Sequence, residues 1–553
     1  MRYGLALTVL VGCTPSRQSV RVPEPAAGDL ARAESLFAET RTLKDRRDVA
    51  TLRGLPDSAA ALRPAYLAAR STLVASLHLD STRLADSVDR RALRVMRQIL
   101  TVELTDTPEP PAGAATLDSA ACRYDPRAIA HVDSLEARLY ACYGLAANDV
   151  VVDGERYDRL TVLGMLGSAD DSVRRHRLFL GLSGVWRSVN AGDDSASPWL
   201  ELLRRRAREW GTGPTPFARR AAELGIAPDT ARRWLVRLLE TWRATLPDSM
   251  REPWDLYYAM GGTSRRLASR VPLDSLRSIN NRFYRDLGAD AMALNVQFDL
   301  EPRAGKDPVA FTTFGARPEF RNGSWQPGAP YISSSYPIGG FDNLTQQLHE
   351  MGHAIHIAAI RTRPAFADWP DADLFTEAIA DLADYEANEG RWQRRYLGDS
   401  ASTSDNQHAK YFGLAMDACW ALFEDRLQRD PALDPNLVWA ELTNRYLNVV
   451  PHPELSWWAM RGQLIDAPSY LLNYAIGAFV TADLRDRIRT VHGDFTLGDS
   501  TWYGFVTDRI YRFGLERSSR RVMEDFLGRP LSPEALLRDL RRAINPETRG
   551  PAN

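Results

Sequence analysis

Apolar residues recur at steps of three and four through most of the chain, the spacing that lines one face of an α-helix. Leu36, Phe37 and Leu43, then Leu62, Tyr66, Leu67, Leu73 and Leu77, then Leu93, Met96, Ile99 and Leu100 carry this rhythm from Ala31 to about Glu103. Asp-Ser and Asp-Thr pairs stand before these runs as N-cap signals. The prolines and glycine between Thr107 and Ala115 predict a loop, and a second break falls at Asn190 to Pro198. Helices are predicted over Leu135 to Tyr143, Tyr157 to Leu182, Trp199 to Leu224 and Thr230 to Leu246. Between Asn295 and Ser335 the texture changes. Val296 to Leu300 alternates with period two, and Ala310 to Phe314 and Tyr331 to Ser335 read as extended. A small sheet is therefore expected inside a mainly α protein, directly before the next helix. Helical spacing resumes from Asp342 to Leu540, no repeat of fixed period is present, and Asn545 to Asn553 is a polar tail.

Composition narrows the classes without naming one. The chain has 553 residues, 44% hydrophobic and 25% charged, which excludes disorder and collagen-like repeats. With 69 basic against 71 acidic residues and a net charge of -2, there is no field to draw it onto nucleic acid. Four cysteines cannot staple so long a chain, so the core must come from burial, with 14 Trp and 18 Phe supplying bulk. The early Cys13 changes the picture. Met1-Arg2 precedes an apolar run from Tyr3 to Val11, too short to span a bilayer, and Leu10-Val11-Gly12-Cys13 resembles the lipobox of bacterial lipoproteins. That resemblance implies cleavage before Cys13, lipidation of its thiol and a membrane anchor in the cell envelope; Thr14 rather than Asp fits the periplasmic face of the outer membrane. The alternative is a start codon placed upstream of a cytosolic protein. The expected organisation is a signal peptide over 1–12, a tether over 13–29, an N-terminal helical region over 30–250, a catalytic region over 251–545 interlocked with it, and a loose tail over 546–553. No other segment is apolar for long enough to cross a membrane; Tyr470 to Val480 fits a buried helix better. Cys122 and Cys142 are read either as a disulfide or as two buried thiols.

The chemistry is concentrated in Leu344 to His356, which contains His349-Glu350-Met351-Gly352-His353. Residues four apart lie on one helix face, so His349 and His353 can turn their imidazoles toward one ion, and Glu350 can reach a water on it. Zinc accepts such nitrogens and keeps a position open for substrate. A third ligand is needed, and Phe375-Thr376-Glu377-Ala378-Ile379-Ala380-Asp381 offers Glu377 on a second helix. Asp381, one turn further on, is placed to hold a ligating imidazole by hydrogen bond. His356 is read as a packing residue or a neighbour of the ligands.

His-Glu-Met-Gly-His followed 24 residues later by the glutamate of Phe-Thr-Glu-Ala-Ile-Ala-Asp resembles the gluzincin core of the angiotensin-converting enzyme family. Phe298 to Lys306, the fuller His349 to His356 motif, Pro253 to Leu256 and Pro468 to Gly477 are similar to the thimet oligopeptidase and oligoendopeptidase family. The specific motifs cover roughly Arg251 to Arg485. The resemblance implies a large two-lobed helical metallopeptidase fold with a deep channel, one zinc held by His349, His353 and Glu377, and Glu350 as general base. It also implies a tyrosine that steadies the oxyanion, with Tyr470 and Tyr474 as the candidates and Tyr474 slightly favoured. One departure stands out. The oligoendopeptidase pattern carries a histidine shortly before these tyrosines, whereas Trp458 to Leu464 contains none and His452 lies too far upstream. Arg461 or Gln463 is the available replacement donor. The strand Tyr331 to Ser335 is a candidate for pairing its edge with a peptide. The expected activity is cleavage of short peptides. The alternatives are dipeptidyl carboxypeptidase action and a non-catalytic peptide-binding lipoprotein.

Overall fold

The computed structural model describes residues 28–102, 122–190, 197–303, 306, 309–321 and 324–544. Cys13, the segment around it, the Thr107 to Ala115 loop and the polar tail lie outside these residues. Gly28 and Asp29, assigned to the tether, already belong to the first helix, Gly28–Leu52. Caps set many of the later starts: Asp158, Asp171, Ser402 and Asp434 each accept a backbone N–H from the first turn of the helix that follows. The chain is mainly helical, as its apolar spacing predicts.

Three local expectations change, the first being that Trp199 to Leu224 divides into Pro198–Trp210, ended by Gly211, and Pro216–Glu223, capped by Thr215. Tyr157 to Leu182 is not one helix: Ala169 leaves the helical region and Asp171 caps a new start, which divides it into Arg159–Ser168 and Ser172–Gly181. In front of it stands an unpredicted antiparallel hairpin, β1 (Val150–Val152) with β2 (Glu155–Tyr157). Asp153 and Gly154 turn it, both at positive φ (51° and 88°), the two-residue geometry that an Asp-Gly pair favours.

The expected sheet next to the His349 helix forms from β3 (Gln297–Asp299), β4 (Phe311–Ala316) and β7 (Ala329–Ser333). A separate two-stranded ribbon joins β5 (Glu319–Arg321) to β6 (Ser324–Gln326). The order is β3-β7-β4. β7 runs parallel to β3, with Phe298 opposite Ile332, and antiparallel to β4, with Thr312 opposite Ile332. This overturns the reading of Tyr331 to Ser335 as an edge for peptide pairing. Both sides of β7 are taken, and the Ser334 and Tyr336 amides continue the pairing onto the Asp299 and Leu300 carbonyls. All five β7 residues are buried, because the strand packs on the Phe341–Ala359 helix below.

The main core runs from Leu135 to Leu540, so residues on both sides of position 250 share one apolar cluster. The first three helices, Gly28–Leu52, Pro56–Ser76 and Ser87–Val102, have a smaller core of their own, including Phe37, Tyr66, Leu73 and Met96, closed by Ala365 and Phe366 of the turn beyond the His349 helix. Arg317, directly after β4, ties this bundle down. It donates to both Asp45 carboxylate oxygens at 2.6 and 3.2 Å, to the Ala367 carbonyl at 2.9 Å, and pairs with Asp368 at 2.9 Å; Arg41 closes the square on Asp368. Cys122 and Cys142 are joined by a disulfide, and Cys419 is a buried free thiol. No described helix is long and apolar enough to cross a membrane.

Candidate metal centre

The Phe341–Ala359 and Asp373–Asp384 helices cross at Gly352. A Cβ on Gly352 would stand 2.1 Å from the Ala380 carbonyl oxygen, so only glycine permits the contact. The glycine of the motif therefore sets the distance between the helices that carry the ligands. That approach brings His349, His353 and Glu377 into one cluster, with a donor atom from each within 4.8 Å of the others. The two Nε2 atoms are 3.1 Å apart, and Glu377 Oε2 lies 3.4 Å from His349 Nε2 and 3.7 Å from His353 Nε2. Ligands held about 2.0–2.1 Å from a tetrahedral ion stand about 3.4 Å from one another. The observed separations bracket that edge, so the two nitrogens and one oxygen fit zinc.

The surroundings orient this donor set. Asp381 Oδ1 lies 2.6 Å from His349 Nδ1, so the ring is held through Nδ1 and turns Nε2 toward the cluster. Burial pulls the His349 pKa down, but the charges and hydrogen bonds of Asp381, Glu377 and Glu350 outweigh it and hold the imidazole well above its ordinary range. Burial likewise raises the Glu377 carboxyl, and the hydrogen bonds from both histidines more than reverse this, keeping it ionised far into acid. We expect Asp381→Asn to weaken zinc affinity about 10- to 100-fold. Competition against a chelator of known affinity measures this, and unchanged affinity would remove Asp381 from its orienting role.

Glu350 is not one of the clustered donors and makes a contact that its neighbours in sequence do not reveal. Thr312 of β4 donates its hydroxyl to Glu350 Oε2 at 2.7 Å, and Glu350 is only 5% exposed. Thr312 was legible as part of a strand, but nothing in its spacing from Glu350 signals the pairing. His356 is not among the clustered donors. It is 1% exposed, packs against Trp369 and Tyr511, and burial pushes its pKa down to about 3, so it stays neutral.

The tyrosines approach from a third helix, Leu471–Val491. Tyr470 places its hydroxyl 3.5 Å from Glu377 Oε1, and its ring packs edge-on against that of Tyr474 with centroids 5.6 Å apart. Burial, reinforced by the Glu377 charge, lifts both phenols above the usual tyrosine range, so both keep their protons. The turn before Tyr470 is unusual. Ser469 has φ of 61°, a left-handed conformation costing a non-glycine residue about 1 kcal/mol or more. It is held by Glu424, which accepts its amide at 2.8 Å, and by Gln428, which donates to its hydroxyl at 2.8 Å. Of the two replacement donors for the missing histidine, Arg461 is paired with Asp417 at 3.1 Å. His452 is engaged elsewhere, between Glu252 and Glu454.

No protein-family model and no curated protein sequence matches the chain. Solved structures do. It is similar over 94% of its length to a putative oligoendopeptidase F, covering 97% of that chain at 15% identity and a TM-score of 0.55. PZ peptidase A with an inhibitor matches over 94% of this chain and 97% of its own, at 12% identity and 0.56. The M32 carboxypeptidase from Deinococcus radiodurans R1 matches over 93% and 97%, at 15% identity and 0.56. At these identities the likeness defines the fold, which is that of helical peptidases.

Proposed function

We propose that the protein is a zinc-dependent peptidase acting on short peptides. The observation that carries this reading is the tetrahedral-edge spacing of His349, His353 and Glu377 with a buried carboxylate, Glu350, beside them. The peptidase fold supports it. When bound, zinc supplies Lewis acidity toward a scissile carbonyl and a water. Glu350, steadied by Thr312, removes a proton from the attacking water and returns it to the leaving amine. Tyr470 and Tyr474, kept protonated, donate toward the oxygen on which negative charge develops. Asp381 holds the His349 tautomer through each turnover.

We further propose that Cys13 anchors the chain to a bacterial envelope membrane. The Cys122–Cys142 disulfide supports this, since such bonds persist in oxidising compartments. The activity is tested directly: purified protein is expected to hold about one zinc per chain and to cleave members of a mixed peptide library. A chelator should abolish cleavage, and added zinc should restore it. Zinc-loaded protein that cleaves nothing would overturn the enzymatic reading.

A further inference from the structure

The turn that delivers Tyr470 is held from outside its own helix. The Pro216–Glu223 helix begins at the Thr215 cap and is seated by Phe217, which is fully buried. Phe217 donates its amide to Gln428 Oε1 at 3.3 Å, and Nε2 of the same carboxamide donates to the Ser469 hydroxyl at 2.8 Å. Gln428 thereby joins this helix to the left-handed Ser469. From the last turn of the helix, Arg220 reaches three groups at once. Its Nε donates to the Pro468 carbonyl at 3.3 Å, its guanidinium carbon lies 5.2 Å from the centre of the Tyr470 ring, and its Nη1 stands 3.6 Å from Asp373 Oδ2.

Each contact removes a different freedom of the tyrosine. The bond to Pro468 fixes the backbone on one side of Ser469, whose own amide goes to Glu424. A serine at positive φ persists only where its surroundings over-determine it, and these bonds do so. The cation attracts the ring by its face, which fixes the direction in which the phenol points. Asp373 stands four residues before Glu377 on the same helix, so Arg220 sets the tyrosine against the helix that carries the third donor. Further along, Gly477 fixes the approach of these two helices, since a Cβ there would stand 3.3 Å from the Leu374 carbonyl oxygen. The stretch before the tyrosines lacks the expected histidine, and Arg461 is turned to Asp417. The cation over the tyrosine ring comes instead from the N-terminal region, where spacing marks no chemistry.

Resting on the peptidase reading, we propose that Arg220 is a positioning residue for the reaction: it holds the turn at residues 468–470 and the Tyr470 ring, so that the phenol donates toward the oxygen on which charge develops. Arg220 is not among the clustered donors and acts only through Tyr470. The benefit is realised in the transition state, because the phenol's hydrogen bond strengthens as the carbonyl oxygen becomes an oxyanion. A donor aimed in advance does not have to be oriented at that moment. This goes beyond peptide hydrolysis in general, because it gives the N-terminal region a part in the chemistry.

The test compares kcat, KM and zinc content in the wild type, Arg220→Met, Tyr470→Phe and the double variant. Arg220→Met keeps the apolar stem and removes the fork and its charge, and a thermal midpoint equal to that of the wild type establishes that it is folded. Should the midpoint fall, Arg220→Gln, which retains a donor for the Pro468 carbonyl, is judged by the same criteria. Arg220→Met is expected to lower kcat about 10- to 100-fold with KM and zinc content unchanged. A phosphinic peptide, whose tetrahedral anion resembles the transition state, should lose affinity by the same factor. In the Tyr470→Phe background the Arg220 change should add little further loss, because both act through one phenol. An unchanged kcat, a loss carried by KM, or full additivity of the two changes would each overturn the proposal. If the wild type cleaves no peptide, the peptidase reading fails, and amide exchange over residues 467–472, read by mass spectrometry, decides the positioning separately. Faster exchange confined to that turn in Arg220→Met would support it, and unchanged exchange would overturn it.

Discussion

Replacing Glu350 with glutamine is expected to lower kcat for peptide cleavage by about 10²- to 10⁴-fold, the span associated with losing a positioned general base. Zinc content should stay close to that of the wild type, because Glu350 is not among the three clustered donors. KM should change little. The amide is nearly isosteric and can still accept from Thr312, so the carboxylate's hydrogen bond at 2.7 Å is replaced rather than deleted. What the amide cannot do is take a proton from water. Parallel measurement of metal content and steady-state kinetics separates this loss from loss of the metal. Activity retained within tenfold, with zinc bound, would remove Glu350 from the proton-transfer role.

The largest effect on stability is expected at Arg317. Arg317 is 8% exposed, and its guanidinium is joined to Asp45 and Asp368 and lies 4.1 Å above the centre of the Phe314 ring. Arg317→Leu leaves Asp45 buried without its cation and strips one of two cations from Asp368. Breaking a buried pair in this way typically costs about 3–5 kcal/mol. The change should appear as a thermal midpoint several degrees lower, together with early exposure of the N-terminal bundle to proteolysis, since Asp45 lies on its first helix. Burial alone raises the Asp368 carboxyl, and the Arg317 and Arg41 charges more than offset this, so its pKa sits below the usual value. A depressed acid contributes stability that is complete above its unfolded pKa and is lost as pH falls through the folded one. The difference between wild type and Arg317→Leu should therefore narrow in acid. Indistinguishable midpoints at neutral pH would mean that Arg317 does not anchor the bundle.

These two sites differ in how far they could be read in advance. His349, Glu350 and His353 are local: four-residue spacing on a helix puts both imidazoles on one face whatever surrounds them. The same holds for Glu377 and Asp381, which share a face one turn apart. Arg317 offered no such signal. Its partners lie on a helix far upstream and in a turn about fifty residues downstream, and a lone arginine after a strand reads as surface. The hairpin of β1 and β2 leaves little trace in the sequence because three-residue strands barely show an alternation, although Asp153-Gly154 is a turn signal. The single helix expected over Tyr157 to Leu182 failed for a related reason: apolar periodicity continues across Ala169 to Asp171, while the cap at Asp171 restarts the backbone.

The sequence by itself determined the helical class, the small sheet before the motif, and the residues able to hold a metal, because each depends on chemical type and short-range periodicity. Only the tertiary structure decided how those residues meet. The Gly352 to Ala380 contact joins the two ligand helices, Thr312 reaches Glu350 from a strand, and β7 lies inside its sheet rather than at the edge. Arg159 and Arg461, far apart along the chain, border one cavity. Such encounters are set by close packing between elements, where a missing Cβ or a single unpaired charge fixes an approach that no spacing along the chain encodes.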